Sequence, residues 1–193
     1  MLNTYAPDMD KLIGFGASSM EGVGDTQGGF FTRLGRKLAG AGRPYECLNH
    51  GIGGNTTRDM LDRLERMRTQ LPARAIVLLG SNDFPREKDG EPSRRVPLAE
   101  YAQNLTKILH LLGGPTSIFV SSFAVCPRRT GIQPTIFLLY TDVALKIAVS
   151  RQMTIWDLYT DSQAWGDRYL ADDGLHYNDA GHEVIADGLM RIM

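Results

Sequence analysis

A pair of serines in a glycine-rich turn is the first place where this chain could carry chemistry. Ser18 and Ser19 follow the short apolar segment Ile13–Gly16. A sharp turn there would expose a hydroxyl at the edge of a sheet, beside backbone N–H groups that can receive an oxyanion. A dinucleotide-binding turn needs a third glycine where Ser19 stands, and a phosphate-binding loop needs a Gly-Lys-Ser/Thr ending that is absent. The turn therefore favours a nucleophilic serine over a nucleotide site.

A nucleophilic serine needs a base, and the chain contains four histidines: His50, His110, His176 and His182. His176 stands in a loop before the last predicted helix, three positions after Asp173 and across a glycine that permits a tight turn. The imidazole would take the serine proton, and a carboxylate at its other nitrogen would fix the tautomer and stabilise the imidazolium. Asp173 suits that task, and the adjacent Asp172 is the alternative. The competing interpretation of this segment is an ordinary loop capped by Asn178 or Asp179.

Acyl transfer also needs hydrogen-bond donors where negative charge develops. The segment Asn49–Thr56 contains three glycines, so its backbone could approach a ligand and aim an N–H group at it. The segment Gly80–Asp83 could offer the side-chain amide of Asn82. Either segment alone is more typical of an ordinary turn, and their occurrence together with the serine and the histidine is what favours a hydrolase.

The elements that must position these residues alternate between short apolar segments and longer segments of helical period, a pattern that predicts an α/β protein with a mostly parallel sheet. Five strands are predicted, at Lys11–Gly16, Tyr45–Asn49, Ala75–Gly80, Thr116–Ala124 and Met153–Trp156. Five helices are predicted, at Gly29–Ala41, Thr56–Gln70, Pro97–Leu112, Ile136–Arg151 and Asp179–Met193. Each candidate motif then follows a strand or precedes the last helix, so all of them would meet at one edge of one sheet.

Two charged or proline-rich stretches, Phe84–Pro97 and Cys126–Pro134, are predicted as loops at that same edge. They either border the site or are simply solvated. Arg128 and Arg129 in the second loop would bind a substrate carboxylate or phosphate if they face the site, and a solvated pair is the alternative.

Composition excludes several other classes of protein. The 193 residues are 42% hydrophobic with a formal charge of −1, which predicts one globular domain, 1–193, and no attraction to nucleic acid or anionic membranes. The longest apolar runs are far shorter than the roughly 18 residues of a membrane-spanning helix. The start of the chain does not resemble a signal peptide, so we expect a cytoplasmic protein. Cys47 and Cys126 are predicted to be reduced and buried, and a homo-oligomer is left open.

From Ile13 to His176 the sequence resembles the SGNH hydrolases, the superfamily of the GDSL esterases and lipases. The family's serine block is similar to Gly16-Ala17-Ser18 with Gly22, which selects Ser18 rather than Ser19 as the nucleophile. The final Asp-x-x-His block matches Asp173 to His176 and prefers Asp173 over Asp172.

The same resemblance assigns the oxyanion donors. The family's glycine block is similar to the segment ending Gly54-Asn55-Thr56, with Gly54 as the backbone donor, and its Gly-x-Asn-Asp block is similar to Gly80–Asp83, with Asn82 as the amide donor. Ser18 N–H would complete the oxyanion hole. The resemblance implies a flavodoxin-like three-layer α/β/α sandwich and ester hydrolysis without metal or cofactor, on a small-molecule ester.

One position departs from the family pattern: Ala17 stands where the serine block usually carries aspartate. A carboxylate there could hydrogen-bond neighbouring backbone N–H groups, so its absence puts the rigidity of the turn and the catalytic rate in doubt. Among substrates we expect small or acetyl esters first, with lysophospholipids or acyl thioesters as alternatives. A weakly active binding module of the same fold is the rival that Ala17 supports, and a nucleotide-binding flavodoxin-like protein is disfavoured.

Overall fold

A computed structural model describes residues 10–64, 66–67, 74–85 and 95–193, and its centre is a sheet of five parallel strands in the order β2-β1-β3-β4-β5. The strands are β1 (Lys11–Gly16), β2 (Glu46–Gly51), β3 (Arg74–Leu78), β4 (Ile118–Val120) and β5 (Thr154–Trp156). In the register of the sheet, Phe15 of β1 lies between His50 of β2 and Val77 of β3. The carboxyl ends of the strands therefore share one edge.

Helices cover both faces of this sheet. They are α1 (Ser18–Glu21), α2 (Gly29–Gly40), α3 (Thr57–Leu64), α4 (Leu98–Leu112), α5 (Pro127–Thr130), α6 (Pro134–Ser150), α7 (Leu158–Gln163) and α8 (Asp179–Ile192), with a 3-10 helix at Gly166–Tyr169. Buried residues of α3, α4 and α6 form one apolar cluster with the sheet, and those of α2 and α8 form the other. The three-layer α/β/α arrangement predicted for the chain is confirmed.

Alternation along β1 shows how the sequence produces the two clusters. Leu12 packs in the cluster of α2 and α8, whereas Ile13 and Phe15 pack in the cluster of α3, α4 and α6. Successive side chains of a strand point to opposite faces, so a strand that is covered on both faces must be apolar at successive positions. This explains why β1 is an apolar run rather than an alternating one.

Several predicted boundaries differ from the structure. β1 matches its prediction, but β4 is shorter than the predicted strand 116–124, and the predicted loop 126–134 contains the one-turn helix α5. The sequence did not indicate α1, because a single turn is too short to show a helical period. The end of the helix predicted to reach residue 70 and residues 86–94 of the first loop lie outside the described residues.

The expectation that both cysteines are buried is wrong. Both are free thiols, but Cys47 on the edge strand β2 is exposed and Cys126 is half-buried. β2 has a neighbour on one side only, which leaves more of its surface accessible than in the central strands. Within the described part of the chain, no helix is long and apolar enough to cross a bilayer.

Candidate active site

Ser18 and His176 are 158 positions apart in the chain, and the structure brings their side chains into hydrogen-bond contact. His176 Nε2 lies 2.9 Å from Ser18 Oγ, and His176 Nδ1 lies 2.6 Å from Asp173 Oδ2. The carboxylate fixes the proton of the neutral imidazole on Nδ1, so Nε2 is left to accept from the serine hydroxyl. This is the order of groups that a serine hydrolase requires. Ser19 and Asp172, the alternatives left by the residue types alone, make no such contact with His176.

The carboxylate of Asp173 shapes the loop as well as orienting the ring. Its Oδ1 accepts hydrogen bonds from the backbone N–H groups of Leu175 (2.8 Å) and His176 (2.9 Å), while Oδ2 faces the imidazole. Gly174, which follows Asp173, has φ +68°, a backbone conformation that residues other than glycine rarely adopt. Partial burial acts to raise the pKa of Asp173, but the two backbone N–H groups and His176 outweigh it and lower that pKa below its ordinary value. Asp173 is therefore held as a carboxylate.

The serine is positioned by the exit of β1. Gly16 ends the strand, Ala17 precedes the first turn of α1, and Ser18 is the first residue of that turn. A Cβ atom at Gly16 would lie 2.1 Å from the carbonyl oxygen of Leu78 on β3, so only glycine permits this close approach. The first N–H groups of a helix have no intrahelical partner. Within the described residues, Ser18 N–H donates to no other group and is free to receive a ligand.

The two other candidate donors lie on adjacent segments. Gly54 has φ +76°, and its N–H group donates no hydrogen bond to another described residue. Asn82 Nδ2 donates to the carbonyl oxygen of Asn55 at 3.0 Å, which uses one of its two protons and fixes the amide beside Gly54. A Cβ atom at Gly53 would lie 3.8 Å from Ser18 Cβ, so this turn borders the serine.

A buried polar network beneath these donors was not found from the sequence. Asp83 is fully buried and accepts from Thr57 N–H (3.0 Å) and Thr57 Oγ1 (2.6 Å), and Asn104 Nδ2 donates to Thr57 Oγ1 at 3.2 Å. Burial raises the pKa of Asp83 to about 6, although the bonds from Thr57 oppose it. The network joins the start of α3, just after the Gly54 turn, to the residue that follows Asn82. Asp83 was visible only as part of the Gly80–Asp83 motif.

Arg63 of α3 is a second residue that sequence reasoning missed. Its Nη1 and Nη2 donate to the carbonyl oxygens of His50 (2.7 Å) and Gly16 (2.8 Å), where β2 and β1 end. The guanidinium carbon lies 4.6 Å from the centroid of the Phe15 ring. Burial lowers the pKa of Arg63, but guanidinium groups remain charged at any physiological pH. Arg63 therefore ties together the two strand ends that lead to Ser18 and Gly54.

The loop between α1 and α2 packs on the segment that carries His176. Thr26 N–H and Oγ1 both donate to the Asp179 carboxylate at 2.8 Å, and a Cβ atom at Gly24 would lie 2.1 Å from the carbonyl oxygen of Tyr177. His182 is fully buried: its Nδ1 accepts from Phe30 N–H at 3.0 Å, so Nε2 carries the proton and donates to Val23 O at 3.1 Å. His182 is therefore a structural residue that joins α8 to α2 and to the loop after α1.

The structure separates the two arginines of the predicted substrate-binding pair. Arg129 packs against Gly174, its Nη1 lies 3.5 Å from the carbonyl oxygen of Ala171, and its Nη2 lies 3.4 Å from Asp167 Oδ2. Arg128 is exposed and has no ion pair with another described residue. Arg129 is thus engaged with the loop that carries Asp173, whereas the structure gives Arg128 no such contact.

An apolar cavity of about 130 Å³ adjoins the same loop. It is lined by Ala124, Val125, Pro127, Ile132, Pro134, Phe137 and Tyr159. Cys126, which stands between the lining residues Val125 and Pro127, donates its N–H to the Gly174 carbonyl oxygen at 2.9 Å. Leu175 packs against the apolar cluster that contains Ile132, Phe137 and Tyr159.

Among the residues that the structure describes, no three His, Cys, Asp or Glu side chains are grouped to hold a metal ion.

Solved structures of esterases share this fold. A lipase/acylhydrolase from Enterococcus faecalis superposes with a TM-score of 0.82 at 23% identity, over 95% of this chain and 95% of that one. The acetylxylan esterase Axe2 from Geobacillus stearothermophilus superposes with a TM-score of 0.78 at 23% identity, over 94% of this chain and 93% of that one. At these identities the likeness shows a common architecture.

Sequence comparison adds a family. The chain is 28% identical over 199 aligned positions to the human isoamyl acetate-hydrolyzing esterase 1 homolog, an alignment that covers 91% of this chain and 77% of that protein. Residues 15–184 match the model of the GDSL-like Lipase/Acylhydrolase family. That match spans most of the chain, from β1 into α8, so the chain belongs to the GDSL-like Lipase/Acylhydrolase family and is a hydrolase of carboxylic esters.

Proposed function

We propose that this protein is a serine esterase that cleaves small esters through an acyl-enzyme, with Ser18 as nucleophile, His176 as base and Asp173 as the group that orients His176. The observation that carries the proposal is the continuous chain of contacts from Asp173 Oδ2 through the imidazole to Ser18 Oγ, with distances of 2.6 and 2.9 Å. Both distances lie within hydrogen-bond range, and the proton of Ser18 Oγ can move directly to His176 Nε2.

In the first step Ser18 Oγ attacks the ester carbonyl carbon while its proton moves to His176 Nε2. The tetrahedral intermediate collapses, the C–O bond to the alcohol breaks, and His176 returns the proton to the leaving alkoxide. Water then attacks the acyl-enzyme with His176 again as base, which releases the carboxylic acid and restores Ser18. Asp173 stays ionised and stabilises the imidazolium in both steps, in agreement with its lowered pKa.

Ser18 N–H, Gly54 N–H and the second proton of the Asn82 amide are the proposed donors to the oxyanion. Two of them have no hydrogen bond to another described residue, and the third is oriented by Asn55 O. Donors that are already in place when charge develops need no reorganisation in the transition state, and each is worth about 100- to 1000-fold in rate.

The proposed substrates have an acetyl or other short acyl group. The apolar cavity of about 130 Å³ beside the Asp173–His176 loop is smaller than the roughly 300 to 1,000 Å³ of typical ligand pockets, which favours a short acyl group. Two of the similar proteins are named for acetyl esters, isoamyl acetate in one and acetylxylan in the other. These observations favour small esters over the lysophospholipid and thioester alternatives.

Arg128 remains the proposed contact for an anionic substrate, because Arg129 is engaged with the catalytic loop. Arg128→Glu is expected to lower kcat/KM for an anionic ester, such as a succinyl monoester, at least fivefold relative to a neutral ester of the same length. Arg129→Glu is the comparison, since its effect should fall on both esters alike. An unchanged ratio in Arg128→Glu removes Arg128 from the proposal.

The test of the whole proposal is Ser18→Ala with Ser19→Ala as its matched control. Both serines are buried and adjacent, but only Ser18 contacts His176. Ser18→Ala should abolish turnover of p-nitrophenyl acetate and labelling by a fluorophosphonate, while Ser19→Ala should keep both. Full turnover in folded Ser18→Ala protein would reject the mechanism.

A further inference from the structure

The turn after β1 lacks the carboxylate that its family resemblance leads one to expect. Ala17 is 5% exposed and packs in the apolar cluster of α3, α4 and α6, so it offers no acceptor to neighbouring N–H groups. The turn at the end of β2, Gly51-Ile52-Gly53-Gly54, is rich in glycine. Ordering it costs more conformational entropy than ordering a turn without glycine. Some other group must restrain it if Gly54 N–H is to point at an oxyanion.

Glu21, the last residue of α1, makes that contact. Its Oε2 accepts a hydrogen bond from Gly53 N–H at 2.7 Å, across 32 positions of sequence. A Cβ atom at Gly53 would lie 2.8 Å from the same carboxylate oxygen and 3.8 Å from Ser18 Cβ. The Glu21 carboxylate therefore bridges the helix that carries Ser18 and the residue that precedes Gly54.

Further contacts join α1 to the end of β2. Asn49 Nδ2 donates to the Met20 carbonyl oxygen at 2.9 Å, and Asn49 Oδ1 accepts from Gly51 N–H at 2.8 Å. A Cβ atom at Gly51 would lie 2.1 Å from Glu21 N, so α1 and the end of β2 are in backbone contact. Asn49 restrains the start of the glycine turn, and Glu21 restrains its middle.

We propose that Glu21 is a positioning residue that holds the Gly53–Gly54 turn against α1, so that Gly54 N–H faces the oxyanion formed on Ser18. The inference rests on the proposed esterase mechanism. Glu21 acts by accepting a hydrogen bond and not through its charge, because a negative charge near a developing oxyanion opposes its formation. A shift of about 1 Å in such a donor can cost about 100-fold in rate.

This distinction between hydrogen bond and charge gives the test. Glu21→Ala removes the acceptor, whereas Glu21→Gln keeps an amide oxygen in its place and removes only the charge. With p-nitrophenyl acetate, Glu21→Ala should lower kcat about 10- to 100-fold and change KM less than threefold, since the donor acts mainly in the transition state. Glu21→Gln should stay within threefold of the wild-type kcat, or exceed it.

A second variant approaches the same contact from the other partner. Gly53→Ala places a Cβ atom against Glu21 Oε2, and Gly53 does not have a positive φ, so alanine fits its backbone conformation. It should reproduce the kcat loss of Glu21→Ala. A boronic acid that forms a tetrahedral adduct should bind both variants more weakly, by a factor similar to the loss in kcat. Glu46→Ala, an exposed carboxylate at the far end of β2, is the matched control and should leave kcat unchanged.

An unchanged kcat in Glu21→Ala, or an equal loss in Glu21→Gln and Glu21→Ala, overturns the role of Glu21. A change in KM with an unchanged kcat also overturns the role of Glu21, because a restrained oxyanion donor would act on kcat. Failure of the esterase mechanism would be seen separately, as an inactive wild-type protein or an active Ser18→Ala protein.

Discussion

The guanidinium group of Arg33 on α2 forms a bidentate ion pair with the carboxylate of Asp25, whose side chain is fully buried. Arg33 Nη1 also donates to Glu183 of α8 at 2.6 Å. Asp25 lies in the loop that follows Ser18, and α8 follows His176, so the pair helps to hold together the two parts of the chain that meet in the site. Its hydrogen bonds lower the pKa of Asp25 far below the ordinary value, although burial opposes them.

Breaking that pair should destabilise the protein. Asp25→Asn leaves a largely buried guanidinium with weaker compensation, and removing one partner of a buried pair costs about 3 to 5 kcal/mol. The free energy of unfolding in urea should fall by about that amount. Lys146→Gln is the control, because its pair with Asp142 on α6 is highly exposed and should contribute less than about 1 kcal/mol. Equal losses in the two variants would contradict the assignment.

Mild acid should destabilise the protein through His182. Burial lowers the pKa of His182, although its bond to Val23 O and the nearby Asp25 and Asp179 oppose this. The unfolded chain then binds a proton more readily than the folded one, so stability is lost as pH falls from the ordinary value of 6.5 through the lowered one. Replacing the ring by glutamine keeps a donor and an acceptor but removes the titration. Urea unfolding of His182→Gln should therefore depend less steeply on pH between 7 and 5.

Asp83 should have the opposite effect on stability, which it should lower as pH rises. Its pKa rises from 3.8 to about 6 on folding, so the protonated form favours the folded state and this contribution is lost as pH rises through 6. Asp83→Asn should gain stability relative to wild type between pH 4 and pH 7.5, by up to about 3 kcal/mol for a shift of about two units at 1.36 kcal/mol each. A constant difference in unfolding free energy across this range would show that Asp83 does not titrate there.

Under the proposed mechanism, filling the cavity beside the Asp173–His176 loop should change the preference for acyl length. Ala124→Leu adds three carbon atoms to a cavity of about 130 Å³, which should lower kcat/KM for the butyryl ester about tenfold relative to the acetyl ester. Ala102→Leu is the control, since Ala102 lines a different apolar groove between α4 and α6. A panel of p-nitrophenyl esters measures both. If the two variants keep the wild-type preference, the cavity does not bind the acyl chain.

The sequence predicted the five strands and the five longer helices, but not α1, α5 or α7, because apolar periodicity is a local property that shows only in longer segments. β1 was predicted at its observed bounds, and the start of α4 and the end of α8 each differ by one residue from their predictions. The contact between Asp173 and His176 was also predictable, since three positions and a glycine separate them. Their approach to Ser18 followed from the parallel order of the strands, which brings distant strand ends to one edge.

The residues that hold the site together had no such signal. Arg63, Glu21 and Asp83 each bond a backbone group or a threonine that is distant in sequence, whereas charged residues are usually solvated on the surface. Residue type alone does not distinguish these three from other charged residues such as Asp62. Only the packing of α1 and α3 against the ends of β1 and β2 reveals their contacts.

Because 158 positions separate Ser18 from His176, the two residues are synthesised at different times. A ribosome makes Ser18, the proposed nucleophile, and the proposed donors Gly54 and Asn82 before it reaches His176. Under the proposed mechanism, a nascent chain has no general base and cannot hydrolyse an ester. Under the same mechanism, activity begins only once the segment that carries His176 has been made and has folded against α1.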